Sequence, residues 1–156
     1  MISAQKLSIR LLYALVGVVS LAGCPSEPNS LEGSIDETMS LEFDRTEMRR
    51  FDGITIQLDY LKDLEGGDID IVAKVVFDTP ADGIVADEEI DILANNGIIE
   101  RRASDNLDFP PLEQGAITFS SGGNEPGAAV GRFTATFDNG KTLGGNFDTE
   151  LTDVEF

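Results

Sequence analysis

Two kinds of side chain in this sequence could do chemistry: the single cysteine, Cys24, and 29 carboxylates. A thiol can be modified covalently, whereas carboxylates can bind divalent cations or transfer protons. The sequence contains no histidine. That absence excludes Ser-His-Asp and Cys-His nucleophile systems, and with one cysteine it also excludes His/Cys sites for zinc or iron.

The first 21 residues have the order of charged and apolar residues that is typical of a secretory signal peptide. Lys6 and Arg10 are the only charged residues among the first ten, and an apolar run extends from Leu11 to Leu21. This run is too short to cross a bilayer, which takes about twenty apolar residues. A cleaved export signal is therefore predicted, rather than a permanent transmembrane helix.

Cys24 ends the run Leu21-Ala22-Gly23-Cys24, which resembles the lipobox of bacterial lipoproteins at all four positions. The resemblance covers only the first 24 residues. It implies that the Cys24 thiol receives a diacylglyceryl thioether and that a dedicated signal peptidase cuts between Gly23 and Cys24. It also implies that the new amino terminus is acylated. A buried structural cysteine, or a plain secretory signal with a coincidental cysteine, is the alternative.

Residues 24–32 are predicted to form a lipidated tether, because Pro25, Ser26 and Pro28 favour extended backbone that does not pack. Stable anchoring takes two acyl chains, each buried methylene contributing about 0.8 kcal/mol. Cys24 with diacylglycerol and a fatty acyl group meets that requirement, and no other cofactor is predicted. The expected location is a bacterial cell membrane or outer membrane, with the chain facing the periplasm or the exterior.

The chain after residue 23 retains 9 basic and all 29 acidic side chains, which gives a formal charge of −20. Such a surface repels nucleic acid and anionic lipid headgroups. It indicates either an exported protein that charge keeps soluble, as in a salty medium, or a protein that binds divalent cations or a basic partner. A hydrolase built from two carboxylates stays open. However, the absence of Trp and the single remaining tyrosine, Tyr60, argue against sugar binding by stacked rings.

The stretch from Asp78 to Glu89 partly resembles an EF-hand calcium loop. With Asp78 at position one, Asp82 falls at position five, Gly83 at the tight turn and Glu89 at the bidentate twelfth position. Pro80 offers no ligand at position three, and calcium needs six to eight oxygens. We therefore assign no metal site here. A solvated acidic turn is the preferred interpretation, and calcium binding is the alternative.

Four further charged groups are candidate sites. Loop acids that could bind a cation are Asp63, Asp68 and Asp70 around one turn, and Asp105 and Asp108 in another loop. The basic pairs are Arg49-Arg50 and Arg101-Arg102. Each pair could either bind an acidic partner or offset neighbouring carboxylates.

Period-two alternation of apolar residues predicts most of the strands. The sets that define them are Met39, Leu41 and Phe43; Ile54, Ile56, Leu58 and Tyr60; Ile69, Ile71, Val75 and Phe77; and Ile117 with Phe119. Val72 and Val76 lie on the other face of the third set, which suggests a strand covered on both sides. Gly66-Gly67 suits a wide hairpin, and 121–127 a Gly-rich turn.

Two similar segments, 131–137 and 145–151, flank the turn 138–140. Their apolar residues must share one face, which requires a three-residue loop with Gly140 in the left-handed conformation. In that register each phenylalanine ring covers a bare glycine, as in designed sheets. The expected pairs are Phe133 with Gly145, and Phe147 with Gly131.

Segment 87–94 is predicted to be either a short helix or a strand, and residues 95–115 a long irregular loop. The last strand is predicted to run through Leu151 and Val154 to Phe156. The predicted fold class is thus all-β, an antiparallel β-sandwich or barrel of about 7–8 strands. The predicted domain organisation is a signal peptide over 1–23, a lipidated tether over 24–32 and an acidic all-β domain over 33–156.

The favoured function is a membrane-anchored envelope lipoprotein with lipid attached at Cys24 and a β domain that binds or supports, rather than catalyses. Its partners would be the membrane, through the lipid, and an envelope or extracellular protein, with no nucleic acid. The first alternative is a calcium-dependent surface or adhesion module that uses the 78–89 loop. The second alternative is a carboxylate-based, glycosidase-like hydrolase.

Overall fold

The computed structural model describes residues 29–155, which fold into one sheet with two short 3₁₀ turns at Ser34–Glu37 and Leu93–Asn95. The predicted signal peptide, the predicted lipid site Cys24 and the last residue, Phe156, lie outside the described residues. The strands are β1 (Ser30–Glu32), β2 (Arg45–Phe51), β3 (Thr55–Asp63), β4 (Ile69–Asp78), β5 (Glu89–Asp91), β6 (Ile98–Arg102), β7 (Leu112–Ser121), β8 (Gly127–Phe137) and β9 (Thr142–Val154).

The predicted all-β fold is confirmed. Eight strands follow one another in the order β5-β7-β8-β9-β2-β3-β4-β6, and the sheet curls into a half-barrel. The ninth strand, β1, pairs with β9. The expectation of purely antiparallel pairing is wrong at one place, because β2 and β9 run parallel. This pairing brings the last strand beside one of the first.

The hairpin between β8 and β9 has the predicted register. Phe133 lies opposite Gly145, and Phe147 lies opposite Gly131. Gly140 has a φ of 78°, and the Phe137 amide donates to the Lys141 carbonyl at 2.9 Å across the three-residue loop. Each ring does cover its glycine: a Cβ at Gly131 would lie 2.5 Å from Phe147 Cζ.

Large side chains fill the concave face of the half-barrel. Five phenylalanines and a tyrosine are at most 1% exposed: Tyr60, Phe77, Phe119, Phe133, Phe137 and Phe147. These six rings come from β3, β4, β7, β8 and β9, and β2 contributes the buried Met48. All the long strands therefore share one core. Phe119 and Phe147 meet edge to face, with ring centroids 5.2 Å apart. The interior is a packed core.

The strand predicted at Met39, Leu41 and Phe43 is not formed. These residues lie in an extended segment that joins no ladder, although Met39 and Leu41 are buried. The alternation is real, but the segment covers one end of the core instead of pairing along it. The sheet also begins before the predicted boundary at residue 33, because Ser30–Glu32 already pair with β9.

The expected faces of β4 are wrong in its first half. Tyr60 pairs with Ala73 and Leu61 pairs with Ile71, so Val72 is an extra residue in a β-bulge. The bulge turns Val72 inward to 2% exposure and leaves Ile69 51% exposed. Alternation alone could not show this shift, because it assumes an unbroken period of two.

The long irregular loop predicted over 95–115 is wrong at both ends. Strand β6 (Ile98–Arg102) lies within it, and β7 begins at Leu112. Within this range only 96–97 and 103–111 are irregular. For 87–94 the strand alternative is confirmed at Glu89–Asp91 and the helix alternative is wrong, because only a three-residue 3₁₀ turn follows, at Leu93–Asn95. At the other end of the chain, Val154 pairs with Phe51 inside the sheet, as predicted.

Candidate functional site

The loops gather at two ends of the half-barrel, because all the long strands share one axis. We call one of them end A. Its segments are 33–44, 64–68, 103–111 and 138–141. We call the other end B. Its segments are 52–54, 79–88, 122–126 and Glu155.

The negative charge is concentrated at these ends. Of the described residues, end A carries nine acids and one base, Lys141, and end B carries six acids and no base. The strands carry 13 acids and eight bases. The strands therefore carry a net charge of −5 in which bases offset most of the acids, whereas end A carries −8 and end B −6 with a single base between them, so both ends project negative potential.

The 78–89 loop does not gather its acids as a calcium loop would. Asp78 closes β4 and accepts hydrogen bonds from Thr55 Oγ1 at 2.7 Å and Asn96 Nδ2 at 3.0 Å. The Asn96 hydrogen bond, followed by that of Thr55, holds the pKa of Asp78 below its usual range. Asp82 is exposed in the loop, and Glu89 lies in strand β5 outside the loop. Among residues 29–155, no three acids form a group that could hold a metal ion.

Asn124 holds this loop from the neighbouring β7–β8 turn. Its Oδ1 accepts from the Ile84 amide at 2.8 Å, and its Nδ2 donates to the Ile84 carbonyl at 2.7 Å. One side chain thus supplies both backbone hydrogen bonds that a neighbouring strand would supply. Arg50 donates to the Asn124 carbonyl at 2.5 Å and binds Asp153 through two nitrogens. The segments 79–88 and 122–126 of end B are thus joined to each other and to strands β2 and β9.

The other candidate acids mostly serve local structure. Asp70 accepts from the Ser104 amide at 2.8 Å and from its hydroxyl at 2.9 Å. Asp105 accepts from the Leu107 amide at 3.1 Å and from Arg101 at 2.6 Å. The Leu107 amide, more than Arg101, lowers the pKa of Asp105. These carboxylates organise the loops of end A.

Three of the four candidate arginines offset carboxylates. Arg49 binds Asp59 at 2.5 Å, and Arg50 binds Asp153. Arg101 points into the core side of β6 with only 4% of its side chain exposed, and it binds Asp105. Its guanidinium also donates to the carbonyls of Ser40 and Val72, both at 3.3 Å. Arg101 therefore ties the extended 39–44 segment to β4.

Asp59 is a buried acid that the sequence did not single out. It lies in the middle of β3 on the outer wall, yet it is 0% exposed. Arg49 and Gln57 donate to its Oδ2, while its Oδ1 has no hydrogen-bond partner within the described part of the chain. An uncompensated lone pair of this kind costs stability, and a bound water is the usual remedy.

One shallow crevice brings carboxylates together on the surface. It has a volume of about 310 Å³, and Glu89, Asp91 and Glu113 line it beside Thr134 and Thr136 of β8. The three acids are exposed. Acids are frequent on this surface, so their proximity alone does not define a catalytic pair.

The chain enters the sheet at a fork. Strand β9 pairs with β1 at residues 144–146 and with β2 at residues 151–154, so two strands share one of its sides. Asn29 lies between them. Its Oδ1 accepts from Thr46 Oγ1 at 3.1 Å and from the Asp148 amide at 2.9 Å. The predicted lipid site, Cys24, lies outside the described residues, five positions before this fork.

Comparisons with known proteins add no relative. No family model matches the chain, and neither a curated protein nor a solved structure matches it. Among the helices in the described range, none is long and apolar enough to cross a membrane.

Proposed function

We propose that this chain is a bacterial lipoprotein, held at the cell envelope by acyl groups on Cys24, whose β domain has a non-enzymatic binding or structural role. The observation that carries the proposal is the run Leu21-Ala22-Gly23-Cys24 directly after a charged and apolar leader. Strand β1 begins at Ser30, six positions after Cys24, so the proposed anchor lies close to the folded domain in the sequence.

The content of the domain favours a binding or structural role over catalysis. Its concave face is filled by its own phenylalanines, in contrast to barrels that hold a ligand inside. The chain offers no histidine, and Cys24 is its only thiol. The candidate carboxylates Asp70 and Asp105 bind backbone amides, and Asp105 also binds Arg101, instead of converging on one point.

The loops at ends A and B are the parts best suited to meet a protein partner. Loops on a rigid sheet commonly carry recognition, and here they also carry most of the charge. A partner with a basic surface would be attracted to them over about 8 Å, the screening length at physiological ionic strength. We propose an envelope or extracellular protein as that partner.

The anchor is tested by expressing the full chain with Cys24→Ala and, as a matched control, Ser26→Ala. The Ser26→Ala control and the chain without substitutions are both expected to fractionate with membranes and to incorporate labelled fatty acid. Cys24→Ala is expected to lose both properties. If Cys24→Ala still fractionates with membranes and still incorporates label, the lipoprotein proposal is wrong.

A further inference from the structure

The place where the chain leaves the fold restricts how an anchored domain can sit on a membrane. Asn29 is fixed at the fork between β1 and β2, level with Phe147 in the middle of β9. The chain therefore leaves from a wall of the half-barrel and not from either end.

The segment between the proposed anchor and this exit point is short. Four residues lie between Cys24 and Asn29, so their Cα atoms are five steps apart along the chain and at most about 18 Å apart even when it is fully extended. Seven residues of β9 lie between the level of Phe147 and Val154, a length of about 23 Å. The tether is therefore shorter than the distance from the exit point to end B, so the protruding loops of end B cannot rest on the bilayer while Cys24 is anchored in it.

Charge disfavours the other end. End A is closer to the exit, but it carries nine acids and a single base. Placing these acids against the phosphate groups of an anionic bilayer would be repulsive. Tether length excludes end B and charge disfavours end A, so the wall around the exit point is the surface that can face the membrane.

The wall around the exit has few charges. We call its outward-facing residues on β8, β9 and β1 the anchor wall. They are Ser30, Glu32, Arg132, Thr134, Thr136, Thr142, Gly144, Asn146 and Asp148. They alternate with the buried Phe133, Ala135, Leu143 and Phe147. Their formal charge is −1. Four exposed acids border this wall: Glu150 follows along β9, and Glu89, Asp91 and Glu113 line the crevice beside Thr134 and Thr136. The hydroxyl and amide groups of the wall can exchange hydrogen bonds with headgroups and water.

We propose that the anchor wall lies against the lipid headgroups, so that the acidic ends A and B point sideways along the membrane and remain open to partners. This inference rests on the proposed acylation of Cys24. It adds a surface and an orientation to the anchor: the partner of this wall is the lipid surface itself.

The test uses the full-length acylated chain with one added cysteine, which is specific because the Cys24 sulfur is consumed by the thioether. Thr134→Cys places the probe on the anchor wall. Ile98→Cys, at a residue 47% exposed on β6, places it on the far wall, and Asn139→Cys places it at end A. Each is labelled with a fluorescent maleimide and reconstituted into vesicles of phosphatidylcholine and phosphatidylglycerol with a nitroxide-headgroup quencher.

The Thr134 probe is expected to lose most of its fluorescence, while the Ile98 and Asn139 probes stay near the level seen in vesicles without quencher. Equal quenching at the three positions, or stronger quenching at Ile98 or Asn139, would overturn the orientation. Flotation of the same samples separates the two claims. A chain that does not float with the vesicles refutes the acyl anchor, and the orientation is refuted with it.

Discussion

Adding a single methyl group at Gly145 tests the packing of the β8–β9 hairpin. Gly145 faces the core, and a Cβ there would lie 2.6 Å from Phe133 Cε1, 2.7 Å from the Ser30 carbonyl oxygen and 2.9 Å from Leu31 Cδ2. Two of these neighbours belong to β1. Gly145→Ala must therefore push the ring aside, displace β1, or do both.

The adjacent glycine is a matched control. Gly144 lies on the outer face of the same strand, and a Cβ there would meet only the Phe133 carbonyl oxygen, at 3.4 Å. Replacing either glycine by alanine restricts the unfolded chain to the same extent, about 0.4–1 kcal/mol. The difference between the two variants therefore isolates packing. Overpacking a core costs about 1–3 kcal/mol, so Gly145→Ala should be less stable than Gly144→Ala by that amount.

Urea unfolding of the soluble chain from residue 25 onward measures this difference. With a typical m-value of about 1–3 kcal/mol/M, the two midpoints should be separated by on the order of 1 M. Gly144→Ala should be at least as stable as the unmodified chain. Coincident midpoints for the two variants would refute the argument that the Phe133 ring occupies the space above Gly145.

Two further predictions concern end B. Asn124→Ala should lower the free energy of unfolding by about 1–3 kcal/mol, because it leaves the amide and carbonyl of Ile84 without their partners. It should also speed proteolysis within 79–88. The control is Asn139→Ala, which loses one exposed hydrogen bond, and equal proteolysis of the two variants would contradict this role of Asn124. The pKa of Asp78 is lowered in the folded state by Asn96 and Thr55, so its contribution is fully present above its unfolded pKa of about 3.9 and is lost as pH falls through the folded value. Urea midpoints should therefore fall less from pH 5 to pH 3 in Asp78→Asn than in the unmodified chain, and parallel curves would show that these hydrogen bonds do not stabilise the ionised form.

The β8–β9 hairpin could be predicted in detail because its constraints are local. A three-residue loop, two glycines and two phenylalanines lie within about twenty residues of one another, and parity alone fixes which residues face each other. The observed pairs of Phe133 with Gly145 and Phe147 with Gly131 follow from that parity. Nothing distant in the chain had to be known.

The fork could not be predicted, because it depends on residues that are far apart in the sequence. Strand β9 pairs with β1 more than a hundred positions earlier, and then runs parallel to β2. No turn links these strands, so no loop length or parity reports the pairing. The same distance hides Asn29, whose side chain closes the fork by binding the Asp148 amide.

Strand β6 was missed for a related reason. Its sequence, Ile98 to Arg102, holds two adjacent isoleucines and then two adjacent arginines, which breaks the simple alternation of apolar and polar residues. The structure shows that Ile99 and Arg101 both face inward, at 5% and 7% exposure. From the sequence alone, a charged residue such as Arg101 is expected on the surface, so its place on the inner face of a strand could not be predicted.

The candidate site residues also differ in whether their signal is local in the sequence. Cys24 could be assigned from the sequence because its signal is a contiguous run, and it stays a prediction. Asn124 and Arg50 could not, because their roles arise only when β2 and the segments 79–88 and 122–126 meet at end B. The acids suggested that loops would carry the function, whereas the structure shows several of them holding those loops in shape.

The inward arginine on β6 bears on how the edges of this open sheet are protected. A half-barrel has two free edges, β5 and β6, and free edges invite pairing with another chain. Strand β5 has only three residues, Glu89 and Asp91 with a single isoleucine between them. Strand β6 carries Arg101 on its inner face, bound to Asp105 and to carbonyls of neighbouring segments. Short length, exposed acids and an inward charge are established protections of sheet edges. Because such protection leaves the edges poorly suited to strand addition, a partner should meet the domain through its loops.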